Sequence, residues 1–118
     1  MTQDSDNLFS YGTLQMETVQ LTAFGRKLEG YSDAMSGYRV ELIKTNDKEF
    51  ETKSGATQHR NLRYTGVASD IVEGTVFQVT QAELEKADTY EPWDYQRVQV
   101  ELRSGVKAWV YLNPNNQA

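Results

Sequence analysis

Two features of this chain could do chemistry: the turn Tyr11-Gly12-Thr13-Leu14 and the carboxylate of Glu91. The turn sits between a strand-like run and a helix-like one. A helix N-terminus presents unpaired amides and the positive end of a dipole, so it can hold a carboxylate or a phosphate. Gly12 would let a ligand approach the backbone closely, and Thr13 would cap the helix or touch the ligand. Read from spacing alone, such a turn is equally a plain strand-to-helix connection. Glu91 lies seven residues after Leu84 on helical spacing, along the same inward face as Leu84 and Ala87. An acid beside an apolar stripe is desolvated, which raises its pKa, and the negative end of the preceding helix acts in the same direction. A carboxylate poised this way suits a general base near neutral pH. The alternative is that Glu91 turns outward past Pro92 and is solvated.

The rest of the inventory excludes more than it offers. The 118 residues contain no cysteine and one histidine, His59. Disulfide frameworks, thiol nucleophiles, iron–sulfur clusters and cysteine-based or histidine-rich metal sites are therefore out. No metal and no cofactor is expected, and acid–base work falls to carboxylates, tyrosines or lysines. His59, in a polar stretch beside Arg60 and Arg63, reads as a surface or rim residue. Trp93, Tyr95, Trp109 and Tyr111 read as core or sheet-face packing. Those on the face opposite Val98 and Val110 could instead wall a pocket, and Arg97 could pair with an acid. No Walker loop, dinucleotide fingerprint or nucleophile elbow is present. Twelve Lys and Arg against seventeen Asp and Glu give a net charge of −5, which argues against a nucleic-acid surface. The first six residues lack the basic and apolar regions of a signal peptide, and apolar runs such as Ala108–Leu112 are far too short to span a membrane. The expectation is a soluble cytoplasmic protein.

The elements that must position these residues follow from periodicity. The length suits one domain, residues 1–118, with loose tails over 1–6 and 113–118. Asn7–Tyr11 predicts a first strand, and Gln15–Phe24 a helix ended by Gly25. Tyr38–Lys44 predicts a strand with Tyr38, Val40 and Leu42 on one face. Asn46–Tyr64 is undecided: a lid or rim over a site, or a solvated excursion, with one short strand around Phe50. Ile71–Val79 predicts a strand in which Gly74 marks a bulge or a close backbone approach. Thr80-Gln-Ala-Glu83 has the pattern of a capping box, opening a helix that Pro92 ends at Glu91. Tyr95–Leu102 and Val106–Leu112 form a hairpin across Ser104-Gly105. The order β-α-β…β-α-β-β predicts an α+β domain with a compact mixed sheet curling into a small barrel, flanked by one or two helices.

Several stretches together resemble the gamma-glutamylcyclotransferase-like family of the avirulence-induced-gene type. Leu8-Phe9-Ser10-Tyr11-Gly12-Thr13-Leu14 is similar to the family's N-terminal Tyr-Gly-Thr-Leu loop. Val72-Glu73-Gly74-Thr75-Val76-Phe77 resembles the Gly-x-Val-[Tyr/Phe] strand before its helix. Ala87-Asp88-Thr89-Tyr90-Glu91, followed by Tyr95-Gln96-Arg97, resembles its Asp-x-[Phe/Tyr]-Glu…Tyr-x-Arg stretch, and Ala108-Trp109-Val110-Tyr111 also matches. Phe24–Gly30 and Arg63–Gly66 look like a small bacterial branch. Two departures stand out. Leu14 is followed by Gln15-Met16-Glu17-Thr18 in place of a Gly-x-x-Asn/His run, and the usual Leu-Asp is Ala87-Asp88. The resemblance implies a compact mixed β-barrel with its site at the mouth. It implies that Tyr11, Gly12, Thr13 and Leu14 bind a small γ-glutamyl substrate by its α-carboxylate and that Glu91 is the acid–base residue. The reaction implied closes the γ-glutamyl group of a small amide to 5-oxoproline. The alternative that the departures leave open is a domain of the same fold that binds a carboxylated ligand without turnover.

Overall fold

The computed structural model describes residues 5–43, 59–92 and 94–114. Strand β1 (Ser5–Ser10) leads through a 3-10 turn (Thr13–Gln15) into helix α1 (Glu17–Phe24). Strands β2 (Gly30–Ser36), β3 (Tyr38–Ile43), β4 (His59–Tyr64) and β5 (Ile71–Thr80) follow. Helix α2 (Gln81–Tyr90) then precedes the hairpin of β6 (Gln96–Glu101) and β7 (Lys107–Leu112). Five strands form one sheet in the order β2-β5-β1-β7-β6, and β3 pairs with β4 in a separate ribbon. β1 runs parallel to β7 and antiparallel to β5, so the sheet is mixed.

β1 is the central strand, and both of its faces are covered. Leu8 and Phe9, each 1% exposed, point to opposite sides by the two-residue period of a strand. Leu8 packs under the helices with Leu14, Phe24, Leu84 and Ala87. Phe9 packs inside the curl of the sheet with Met35, Leu62, Val76 and Val110. The β6–β7 turn reaches back to the opposite edge strand: the Arg103 N–H donates to the Ala34 carbonyl at 2.8 Å. The α+β class and the curled mixed sheet with flanking helices agree with the sequence reading. Among the described residues the curl is held by this turn contact rather than by a continuous ladder between β2 and β6.

The differences have local causes. β2 was not expected, because Gly30-Tyr-Ser-Asp-Ala-Met-Ser lacks apolar alternation; Met35 is its one buried residue. β4 occupies the end of the undecided stretch, whereas the strand expected around Phe50 lies outside the described residues. On β3 the expected apolar face looks outward, with Val40 39% and Leu42 62% exposed. Ser5 and Asp6, expected in a loose tail, pair with Thr80 and Val79. Asn113, expected in the other tail, is buried.

Candidate active site

The end of β1 is held closely by β5. A Cβ on Gly74 would overlap the Ser10 carbonyl oxygen and the Phe9 ring, while the pairing of Asp33 with Gly74 runs in unbroken register. Gly74 therefore marks a close backbone approach and not a bulge. The chain then turns at Tyr11, whose buried phenol donates to the Tyr111 carbonyl at 2.6 Å and accepts the Leu62 amide. The Gly12 N–H donates to Ser10 Oγ at 3.3 Å. The N–H groups of Thr13 and Leu14 take no acceptor among the described residues. They open the 3-10 turn, which closes through Gln15 N–H to Gly12 O and Met16 N–H to Thr13 O.

Thr13 does not cap α1. Its N-cap is Met16, without a side-chain bond, and the Thr13 hydroxyl meets Tyr90 instead. The donors of the loop are thus amides of a 3-10 turn, not the first turn of a long helix, so a macrodipole adds little. Gln20 fixes the loop from behind: its Nε2 donates to Leu14 O and its Oε1 accepts the Leu28 amide, each at 2.8 Å. Gly25 ends α1 in the left-handed conformation, φ +76°, which glycine adopts without steric cost.

α2 starts at the capping box read from the sequence: Thr80 Oγ1 accepts the Glu83 N–H at 3.1 Å, and Glu83 Oε1 accepts the Thr80 N–H at 2.9 Å. The helix ends at Glu91, whose N–H still reaches the Ala87 carbonyl at 2.9 Å while its ψ of 154° turns the chain away. Glu91 is partly buried. It lines a cavity of about 40 Å³ together with Ser10, Tyr11, Gly12, Thr13, Leu14 and Tyr111. The residues singled out in the sequence, Glu91 and the four of the loop, thus border one space.

Four phenols feel the Glu91 charge. Burial is the main cause that raises the pKa values of Tyr11, Tyr90, Tyr95 and Tyr111, and the Glu91 carboxylate raises each of them further. For Tyr111 the hydrogen bond to Asp88, at 2.6 Å, ranks second after burial. These rings stay protonated at neutral pH, and the hydroxyls of Tyr11, Tyr95 and Tyr111 donate to the Tyr111 carbonyl, the Arg60 carbonyl and Asp88. Asp88 is occupied: Arg97 binds both its oxygens, at 2.8 and 3.1 Å, and the guanidinium lies 4.5 Å from the centre of the Trp109 ring. Glu91 is the one carboxylate among the residues lining the cavity. Tyr111 as a pocket wall and Arg97 as the partner of an acid follow the sequence reading. Arg60 does not: its Nη1 donates to the Tyr11 carbonyl at 3.2 Å, from a stretch that offered no periodicity to read. Among the described residues no three His, Asp or Glu side chains gather as a metal site requires, and no helix is long and apolar enough to cross a membrane.

Comparison with known proteins gives a consistent picture. No curated protein matches the sequence. A solution structure from Arabidopsis thaliana is 25% identical, with a TM-score of 0.73 over 98% of this chain and 67% of that one. A structure described as gamma-glutamyl cyclotransferase is 14% identical, with a TM-score of 0.73 over 92% of this chain and 66% of that one. An uncharacterised protein of Pyrococcus horikoshii is 18% identical, with a TM-score of 0.62 over 91% of this chain and 76% of that one. The family model for gamma-glutamyl cyclotransferase, AIG2-like, matches residues 8–118 and so takes in the loop, the capping-box helix and Glu91. The chain therefore belongs to the gamma-glutamyl cyclotransferase, AIG2-like family.

Proposed function

We propose that this protein cyclises the γ-glutamyl group of a small amide to 5-oxoproline and releases an amine or amino acid. The observation that carries the reading is that Glu91 lines one cavity with Thr13 and Leu14, whose amides take no acceptor among the described residues. The amides bind the substrate α-carboxylate. Glu91 takes a proton from the α-ammonium, and the freed amine attacks the γ-carbonyl to close a five-membered ring. The C–N bond of the amide then breaks as the proton held by Glu91 goes to the departing nitrogen, and the ring nitrogen gives up its second proton, again through Glu91, to the released amine. Nucleophile and electrophile belong to one molecule, so the protein has to fold the substrate and move protons. The reaction as written needs nothing beyond proton transfer. At about 40 Å³ the cavity accepts the α-carboxylate and its neighbours, and the leaving amine extends past the rim. We place the protein in the cytoplasm. We also place it with a small bacterial branch, on Phe24–Gly30 and Arg63–Gly66.

Incubation of the purified protein with a panel of γ-glutamyl amino acids and γ-glutamyl amines, followed by mass detection of 5-oxoproline, tests the proposal. The expected result is 5-oxoproline with release of an equal amount of amine from at least one compound. Binding of a panel member that is recovered unchanged would instead make the protein a carboxylate-binding domain of this fold.

A further inference from the structure

Gln20 is a polar side chain in the core, 3% exposed, with both ends of its amide occupied. Its bonds to the Leu14 carbonyl and the Leu28 N–H fix a succession of peptide planes. In a trans peptide the C=O and the following N–H point in opposite directions, and the peptide bonds of the turn are trans. Holding the Leu14 carbonyl toward Gln20 therefore turns the Gln15 N–H the other way, where it donates to the Gly12 carbonyl at 3.2 Å. Holding the Gly12 carbonyl in turn aims the Thr13 N–H away from Gln15. The Thr13 carbonyl, which accepts the Met16 N–H at 2.9 Å, does the same for the Leu14 N–H. These two N–H groups are the loop amides that take no acceptor among the described residues. Gln15 grips the same turn from its exposed side. Its Nε2 donates to Gly12 O at 3.3 Å, and its Oε1 accepts the Thr75 hydroxyl at 3.0 Å, on the strand paired with β1.

We infer that Gln20, seconded by Gln15, is a positioning residue for recognition of the substrate α-carboxylate. This rests on the cyclotransferase reading above, which gives the Thr13 and Leu14 amides to that carboxylate. Two amides serve one carboxylate well only when both are aimed before it arrives, since ordering them on binding costs affinity. The turn is short and has no side-chain cap at Gly12 or at Met16, so its aim depends on the bonds to its carbonyls. Neither glutamine lines the cavity, and both act through the backbone.

A matched pair of compounds, γ-glutamylalanine and γ-aminobutyrylalanine, differs only in the α-carboxylate of the head. The wild-type protein is expected to favour γ-glutamylalanine in kcat/KM by about tenfold or more, the scale of hydrogen bonds to one charged group. Gln20→Met should bring that ratio to about threefold or less, raising KM for γ-glutamylalanine more than it lowers kcat. Should Gln20→Met not fold, because the buried Leu28 N–H loses its acceptor, Gln15→Met at its exposed position carries the test with a smaller fall in the ratio. A role limited to stability would lower the urea midpoint and leave the ratio unchanged, which would overturn the proposal. Calorimetric titration of the Glu91→Gln protein with the same two compounds separates this inference from the reaction. Preferential binding of γ-glutamylalanine, weakened by adding Gln20→Met, would support the positioning role even if the wild-type protein turned neither compound over. Turnover of both compounds at equal kcat/KM would keep the cyclotransferase and remove the positioning role. Absence of binding by either compound would remove it too.

Discussion

The phenol of Tyr11 stays protonated because burial, followed by the nearby Tyr95 and Glu91, pushes its pKa well above the usual tyrosine value. Its hydrogen bond to the Tyr111 carbonyl is therefore present throughout the physiological pH range. Tyr11→Phe leaves a buried carbonyl without that donor and should cost about 1–3 kcal/mol, read as a lower urea midpoint at unchanged slope. At this scale the sequence was most legible where the chemistry is local. Tyr11-Gly12-Thr13-Leu14 and Glu91 were singled out by residue type and by position at element ends. The partners that complete the site were harder to read, because Arg60 stands 49 positions from Tyr11 and Tyr111 stands 100. Contacts at such separation leave no periodic trace.

The helix that delivers Glu91 is fixed at its far end by Glu83. That carboxylate closes the capping box and also accepts Arg26 Nε at 2.6 Å and Nη2 at 2.9 Å, which ties α2 to the segment after α1. The Arg26 hydrogen bonds, opposed by burial and aided by the Thr80 N–H, hold the Glu83 carboxyl below its ordinary value. The unfolded chain lacks these partners, so its glutamate titrates near about 4.3. The stabilisation is thus complete above that pH and is lost as pH falls through the lower folded value. Urea midpoints measured from pH 7 down to pH 3 should fall less steeply on the acid side in Glu83→Gln than in the wild type. Parallel curves would show that the pair contributes nothing to acid sensitivity. The capping box was readable four residues at a time, as was the stop at Pro92. β2 was not: an edge strand with a single buried residue carries its pairing in the backbone, and its side chains report little of it.

Over the whole molecule, the site depends on how the β3–β4 ribbon docks on the main sheet. Asn61, fully buried, accepts the Asn113 N–H at 2.8 Å and donates to its carbonyl at 3.4 Å. Tyr95 adds a bond to the Arg60 carbonyl at 3.0 Å, so the ribbon meets both the end of β7 and the approach to β6. Asn61→Ala removes a satisfied buried amide and should cost about 1–3 kcal/mol. Amide hydrogen exchange should quicken across residues 38–43 and 59–64 before it does in β5, because the bonds lost with Asn61 are those that tie the ribbon to Asn113. Uniform acceleration would mean that ribbon and sheet open as one unit. The class of fold was legible from the order of strands and helices. The sheet order and the ribbon were not, since both are set by pairings between segments far apart in the chain.

The rate of 5-oxoproline formation by Glu91→Gln, measured beside calorimetric binding of the same γ-glutamyl compound, tests the role of the cavity carboxylate most directly. The amide keeps the size of the side chain and removes its capacity to accept a proton. The expected result is a fall in rate on the order of 10² to 10⁴ with binding retained. Turnover by Glu91→Gln at the wild-type rate would contradict it.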